Sequence, residues 1–287
     1  LMPLLLTLKA RGQTVAPGPS GFCNQPLSID LCGITPDRMT TLSLDGILRL
    51  PIAADGRACE LGELFSATGA ATDGQMECSG DFSAVHHVGA AMAWGEISVK
   101  GDVGRHAGAA MSGGTLTVAG NAGDWLAAEM TGGTVRIAGH AGNNAAAALP
   151  GSNHGLGGGM VLIEGNAGCL AGTRMRRGLL VIGGSCGPGT ILEMRAGTAI
   201  VAGAIGAHAG LHMQRGTLIS LLTKPNLPPT FKRGARWSPP FMPLLASRLQ
   251  RGGYCPAGHS LHSLLSGDWQ QWHGDTLSGG RGEIFHR

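Results

Sequence analysis

The sequence predicts an all-β protein: a right-handed parallel β-helix (solenoid) of about eight 19-residue rungs, with a small α/β N-terminal cap and an extended C-terminal arm. Three observations predict this fold. Glycine supplies 50 of the 287 residues, a ten-residue motif recurs at a fixed short period, and apolar residues alternate with other residues inside each copy. Self-similarity at a fixed period indicates stacked repeats, and alternation of period two indicates a strand with one buried face.

The repeated motif reads G-x-h-x-h-x-G-x-x-G, where h is an apolar residue. The complete copies begin at Gly95, Gly114, Gly133, Gly159, Gly178 and Gly197. A degenerate copy begins at Gly74 and a truncated one at Gly216, and a seven-residue insertion separates the copies at Gly133 and Gly159. Corners of a tightly wound chain need positive φ angles or close backbone approach, which glycine provides at the least cost.

An apolar residue also stands three positions before most copies. These residues are Met92, Met111, Met130, Leu156, Met175, Met194 and Met213. Because no polar partner accompanies these positions, we expect a column of core side chains, each stabilising the fold by roughly 1.5–3 kcal/mol through burial.

The repeat divides the chain into three predicted domains: an N-terminal cap at 1–73, a glycine-rich repeat domain at 74–222 and a C-terminal arm at 223–287. The arm contains seven of the twelve aromatic residues and the proline-rich stretch TKPNLPPTFKRGARWSPPF. Such a segment cannot build a core alone, so we expect it to lie extended over the repeats or over another protein, with a flexible tail as the alternative.

Short elements are predicted within the cap. The apolar stretch LMPLLLTL is too short for a signal peptide and indicates a strand. Thr41 or Ser43 can cap a short helix that ends before Pro51, and ELGELF indicates a second one.

Composition excludes several classes of function. A net charge of +3 and 14% charged residues do not favour a nucleic-acid or membrane partner, and no apolar run reaches the roughly 18 residues of a membrane helix. The cysteines are odd in number and contain no CxxC pair, which predicts reduced thiols in a cytoplasmic protein. They are Cys23, Cys32, Cys59, Cys78, Cys169, Cys186 and Cys255.

Motifs for catalysis and metal binding are not found. The histidines form no HxH or HExxH motif. Ser152 lies two residues before His154 but outside a G-x-S-x-G motif. We therefore predict no catalytic, cofactor-binding or metal-binding residue in this chain. The repeat-domain histidines, expected at different corners as surface residues, are His86, His87, His106, His140, His154 and His208.

One cluster of charge stands out in the frame of the repeat. Arg176 and Arg195 share one position in adjacent copies, Arg177 and Arg215 share the next position two copies apart, and Arg174 lies close by. Stacked guanidinium groups repel one another, and the repulsion grows with burial, which favours an anionic counterpart. We call these five residues the arginine patch and predict that it binds an acidic partner subunit or a polyanionic ligand, with solvated arginines as the alternative.

The repeat unit also carries a family resemblance. GDVGRHAGAAMSGGTLTVAG, GNAGDWLAAEMTGG and LPGSNHGLGGGMVLIEGNAG, followed by LPPTFKRGARWSPPF, resemble the C subunit of formylmethanofuran dehydrogenase and of its bacterial relative, the formyltransferase/hydrolase complex. The resemblance covers about residues 30–287. A weaker resemblance, to the glycine-rich β-helix domain that ends the large subunit of glutamate synthase, covers the repeat alone.

The resemblance implies a structural subunit without an active site or cofactor of its own. Metals and the methanofuran carrier are then expected in the partners, which are the A, B and D subunits; of these, A resembles a metal-dependent hydrolase and D a formyltransferase. The bacterial complex is expected to transfer formyl from formyl-tetrahydromethanopterin to a methanofuran-type carrier and to release formate during formaldehyde oxidation. That carrier bears glutamates, which would suit the arginine patch.

Two alternatives stay open at this point. The chain could be the C subunit of a redox formylmethanofuran dehydrogenase, whose B subunit carries molybdenum or tungsten. It could instead be a stand-alone β-solenoid protein acting on polysaccharide, although that function calls for acidic or arginine clusters on one face and a secretion signal. The reduced charge and alanine-rich composition favour the bacterial hydrolase complex.

Overall fold

The computed structural model describes residues 2–9, 27–254 and 260–287. Cys23 and Cys255 lie outside these described residues. The helices are α1 (Pro36–Met39), α2 (Leu44–Leu48), α3 (Leu61–Leu64), α4 (Met242–Arg251) and α5 (Leu261–Leu265). The strands are β1 (Leu4–Leu8), β2 (Ile29–Asp30), β3 (Pro51–Ala54), β4 (Arg57–Glu60), β5 (Phe65–Thr68), β6 (Gln75–Ser79), β7 (Val85–His86), β8 (Glu96–Val99), β9 (Thr115–Val118), β10 (Thr134–Ile137), β11 (Met160–Ile163), β12 (Leu179–Ile182), β13 (Thr198–Val201), β14 (Arg215–Ser220), β15 (Lys232–Trp237), β16 (Trp269–Gly274) and β17 (Arg281–His286).

A 13-stranded sheet dominates the fold, in the order β15-β16-β17-β14-β13-β12-β11-β10-β9-β8-β6-β1-β5. Its centre consists of the strands that the repeat predicts, β6 and β8 to β14, which pair in parallel. Leu116 of β9 lies opposite Val135 of β10, one repeat further on, and Thr134 lies opposite Met160 across the insertion. The prediction that each copy of the motif holds one short strand is therefore confirmed.

The predicted fold class, an all-β right-handed parallel β-helix, is wrong. The fold is mixed α/β: the large sheet combines parallel pairs with antiparallel ones at both ends, and the described residues include five α-helices and one 3₁₀ helix, Thr276–Ser278. β5 pairs antiparallel with β1, and β16 pairs antiparallel with both β15 and β17. The C-terminal residues, expected as an extended arm, form β15 to β17, α4 and α5. These segments lack the glycine period, so the repeat pattern carried no information about the strands they add.

The main hydrophobic core contains the apolar column predicted from the sequence. Its seven side chains have a relative accessibility of 0%: Met92, Met111, Met130, Leu156, Met175, Met194 and Met213. They pack with the inward-facing residues of the strands and with a second column, joined by single parallel bridges from one repeat to the next. That column consists of Phe82, Val103, Ala122, Ala141, Ala167, Cys186 and Ile205. The core interpretation of the methionines is confirmed.

A second apolar cluster covers the other face of β11 to β14. In β8 to β10 this face carries Ser98, Thr117 and Arg136, whereas β11 continues the same row with Leu162. The four residues of β11 and of β12 are all buried. The residues that cover them come mainly from the C-terminal segment: Met242, Ala246, Leu249, Tyr254, Leu261, Leu265, Trp269 and Phe285. The C-terminal segment thus completes a second core instead of lying extended.

A polar ladder joins successive repeats along one edge. In five consecutive copies, the residue after the second glycine of the motif accepts a hydrogen bond from the backbone N–H at the same position of the next copy. Asn121 Oδ1 accepts from His140 N at 2.8 Å, and His140 Nδ1 accepts from Asn166 N at 2.8 Å. The full series of acceptors is Asp102, Asn121, His140, Asn166 and Ser185. Short polar side chains recur here because they satisfy backbone donors that the strands leave unpaired.

The N-terminal residues build a four-stranded sheet in the order β4-β3-β2-β7. The predicted N-terminal strand is present as β1, and both predicted short helices are present as α2 and α3. Ser43 Oγ accepts from Gly46 N at 3.2 Å and thereby caps α2. Because β2 pairs in parallel with β7, Asp30 lies directly opposite His86. This pairing brings the small sheet against the first repeats, and a cavity lies between them.

None of the helices in the described parts of the chain is long and apolar enough to cross a membrane. The five cysteines within those parts are free thiols. Burial raises the pKa of the Cys78 thiol to about 12, which keeps it protonated and unreactive.

Candidate functional site

A cavity of about 290 Å³ lies where the four-stranded sheet meets the first repeats. An adjoining cavity of about 340 Å³ shares Ser28, His86 and Arg105 with it. We call the first one the histidine cavity; its lining residues are Ser28, Asp30, Ala53, Gly56, His86, His87, Arg105 and His106. Three histidines, one arginine and one aspartate are therefore among the residues that line it.

Asp30 orients the ring of His87. The Asp30 Oδ1 atom lies 2.9 Å from His87 Nδ1 and also accepts a hydrogen bond from Cys32 N at 2.8 Å. Because a carboxylate accepts hydrogen bonds, the ring nitrogen that faces it carries the proton. The Nε2 atom of His87 is then left for other contacts.

His86 is held by the backbone of the next repeat. Its Nδ1 atom accepts a hydrogen bond from Arg105 N at 3.0 Å, so the proton of the neutral ring resides on Nε2. Burial, and after it the charges of Arg105 and His87, lower the pKa of His86 below the usual value for histidine. His86 therefore offers an N–H donor without a positive charge.

Three rings stack along one edge of the repeats. The ring of His106 stacks on His87 with centroids 4.8 Å apart, and the ring of Trp125 stacks on His106 at 6.1 Å. Burial, and after it the charges of His87 and Arg105, lower the pKa of His106. Stacking hides the faces of the imidazoles, so the rings present their polar edges to the surroundings.

The histidine cavity was not predicted from the sequence, since these histidines were expected at different corners. His87, His106 and Trp125 follow one another at the period of the repeat and share one position in it, with φ angles of +57°, +61° and +63°. The 19-residue spacing could have predicted that these rings stack. It could not have predicted the contact of His87 with Asp30, because Asp30 lies outside the repeat.

The lowered pKa of His86 predicts how the stability of the chain depends on pH. Because its pKa is lowered on folding, the unfolded chain takes up the proton more readily, and the free energy of unfolding should decrease as the pH falls from about 7 through the pKa of an ordinary histidine. Replacing His86 by asparagine keeps a side-chain acceptor for Arg105 N but removes the titrating group. Urea unfolding at pH 7.5 and 5.5 should show a smaller loss of stability for His86→Asn than for the unmodified chain.

The His86→Ala variant provides the control for this experiment. It removes both the titrating ring and the acceptor, so it should be less stable than His86→Asn at both pH values. An identical pH dependence in the unmodified chain and in His86→Asn would contradict the role given to this imidazole.

The structure places the arginine patch next to the insertion, and its members differ in their contacts. Arg174 is half-buried: its Nε atom lies 2.9 Å from Glu193 Oε2, and its Nη1 atom donates to Ser152 O at 2.7 Å. Arg176 Nη1 lies 3.1 Å from His154 Nδ1. Arg174 is therefore already neutralised, whereas Arg176 donates to the Nδ1 atom of His154 and has no acidic partner within 4.0 Å among the described residues.

The other members of the patch present free positive charge. Arg176, Arg177 and Arg215 are exposed and Arg195 is partly exposed. In the described parts of the chain, no acidic side chain lies within 4.0 Å of any of these four. The strand pairing adds one residue that the sequence pattern did not reveal, since Arg215 of β14 lies opposite the exposed Arg281 of β17. Adjacent strands are about 4.8 Å apart, so Arg215 and Arg281 bring two positive charges close together.

The described residues contain no group of three or more His, Cys, Asp or Glu side chains that could hold a metal ion. The prediction that this chain has no catalytic, cofactor or metal site stays a prediction. What the two clusters can do chemically is bind anions: the arginine patch through several exposed guanidinium groups, and the histidine cavity through one guanidinium and imidazole N–H groups.

No protein-family model matches the chain, and no curated protein matches it. Among solved structures, the chain is similar to one in the X-ray crystal structure of the formyltransferase/hydrolase complex (FhcABCD) from Methylorubrum extorquens in complex with methylofuran. The two share 35% sequence identity with a TM-score of 0.84, and the match covers 98% of each chain. The resemblance found in the sequence is confirmed, and the chain belongs to the protein family of the formyltransferase/hydrolase complex.

Proposed function

We propose that this chain is the C subunit of a formyltransferase/hydrolase complex and serves as its non-catalytic structural component. The complex would transfer formyl from formyl-tetrahydromethanopterin to a methanofuran carrier and release formate. The observation that carries this proposal is the match over 98% of both chains at 35% identity to a chain of the FhcABCD complex. The repeat supports the assignment to the C subunit, because the same motifs resemble that component.

The partners of the chain would be the A, B and D subunits, and the metals and the carrier would bind in those partners. The relative was crystallised as the FhcABCD complex with methylofuran, which supports both the partner set and the carrier class. The free cysteines support a reducing, cytoplasmic setting. A structural role also agrees with the chemistry of the repeats, whose apolar residues are used in two cores.

Purification of the complex tests this proposal. An affinity tag on this chain, expressed from its native locus, should retain three further polypeptides in constant proportion. The purified assembly should contain zinc, hydrolyse formyl carrier to formate and contain no molybdenum or tungsten. Recovery of molybdenum or tungsten would support the alternative, a formylmethanofuran dehydrogenase, and recovery of this chain alone would contradict both assignments.

We further propose that the arginine patch contacts an acidic surface of a partner subunit or the polyanionic carrier. Its exposed guanidinium groups lack acidic neighbours among the described residues, and exposed charges of one sign favour a partner of the opposite sign. The partly buried Arg174 would hold the loop at Ser152 in place instead of binding the partner.

A further inference from the structure

We propose that the histidine cavity binds a small monocarboxylate, held by the Arg105 guanidinium and by the Nε2–H group of His86. This site is separate from the arginine patch and does not depend on the structural role proposed for the chain. The carboxylate would lie between the four-stranded sheet and the first repeats, in a cavity of about 290 Å³.

Arg105 supplies the positive charge of the site. Its backbone is fixed, since Arg105 N donates to His86 Nδ1 at 3.0 Å and Arg105 O accepts from His87 N at 2.9 Å. Its side chain is exposed and, within the described residues, has no acidic group within 4.0 Å. A guanidinium group in this state can bind a carboxylate through two parallel N–H···O bonds.

The histidines supply donors in fixed positions. Since His86 Nδ1 is occupied by the Arg105 N–H group, the N–H of its neutral ring lies on Nε2. His87 is held by Asp30 at 2.9 Å, and His106 is held by stacking on His87 at 4.8 Å. Rings that are already positioned lose little conformational entropy when a ligand binds, which favours affinity for a small anion.

The charges in the cavity favour a monoanion over a multiply charged one. Among the described residues that line it, Arg105 supplies the single guanidinium, and the carboxylate of Asp30 belongs to the same lining. Asp30 repels any anion, and the repulsion grows with the charge of the ligand, so the cavity disfavours phosphate more strongly than a monocarboxylate. A monocarboxylate such as formate or acetate carries one charge and matches the planar fork of one arginine.

Histidine-selective ¹⁵N NMR of the full chain tests the proposal, with sodium acetate and sodium formate as probes at constant ionic strength. The ring signals of His86, identified by their loss in His86→Asn, should shift in a saturable way at millimolar carboxylate. The Arg105→Gln variant should weaken this binding at least tenfold. The Arg57→Gln variant removes an exposed arginine from the neighbouring strand β4, outside the cavity lining, and should change the affinity less than twofold.

Three results would overturn the carboxylate site. These are a linear shift without saturation, an equal shift with sodium chloride or phosphate, and an unchanged affinity in Arg105→Gln. Circular dichroism of both variants establishes that they are folded, which is expected because both arginines are exposed. The result does not depend on assembly of the complex, because the NMR signals come from the histidine rings of this chain.

Discussion

Replacing Gly133 by alanine should destabilise the chain severely, by about 2–5 kcal/mol, because left-handed backbone strain and a backbone clash act together. Gly133 has a φ angle of +87°. A Cβ atom there would lie 2.6 Å from Gly114 O and 2.7 Å from the carbonyl carbon of Gly113. Those atoms belong to the backbone of the neighbouring repeat, which cannot shift without disturbing the pairing of β9 with β10.

The matched control is Gly151→Ala, in the insertion. Gly151 has a φ angle of +83°, but no heavy atom lies within 4 Å of the position of an added Cβ. Its replacement should therefore cost only the left-handed strain, about 1–2 kcal/mol. Urea unfolding of both variants measures the difference. Equal losses of stability would show that close packing between repeats is not the reason for glycine at Gly133.

Gly133 contacts the neighbouring repeat and Gly151 does not, and this difference shows which features the sequence could predict. A motif that recurs at a fixed period reports on contacts between neighbouring repeats, and those contacts have the same geometry in every copy. Strand positions, the methionine column and the insertion all follow from that local rule, and all are present in the structure. The N-terminal strand and the helix capped by Ser43 follow from similarly local signals.

The fold class could not be predicted because it depends on segments outside the repeat. β17 pairs in parallel with β14, and Arg281 lies opposite Arg215 although the two are 66 positions apart, so this pairing falls outside the 19-residue period. One clue was present in the strands themselves. Their alternation ends at β11, where all four residues are apolar, and a strand without a polar face indicates cover on both sides.

The two candidate sites also differ in how far the repeat alone predicts them. The arginine patch could be found because Arg176 and Arg195 occupy one position in adjacent copies of the repeat. The histidine cavity needed both a repeat signal and a contact with Asp30, which lies 57 residues from His87. The spacing in the sequence predicts the stacked rings, whereas the carboxylate of Asp30 is brought to them by the pairing of β2 with β7.

Reversing charge in the arginine patch should release this chain from its complex. The double variant Arg176→Glu/Arg195→Glu places two carboxylates where an acidic partner surface would lie, and like charges across an interface cost several kcal/mol, or roughly a 100-fold or greater loss of affinity. Neither side chain is fully buried, so the fold should persist, as circular dichroism can establish. Retention of the other subunits on the tagged variant measures the effect.

The control must carry the same change in net charge at another place on the surface. Arg49→Glu/Arg57→Glu meets this condition, because Arg49 has a 70% exposed side chain on the N-terminal part of the chain and Arg57 is exposed on β4. This control should retain its partners. If the two double variants lose partners equally, net charge is responsible; if the patch variant keeps them, the patch is not an interface. A true electrostatic contact should also weaken in the unmodified chain as salt is raised, since screening shortens the range of exposed charges to about 8 Å at physiological ionic strength and about 3 Å at 1 M.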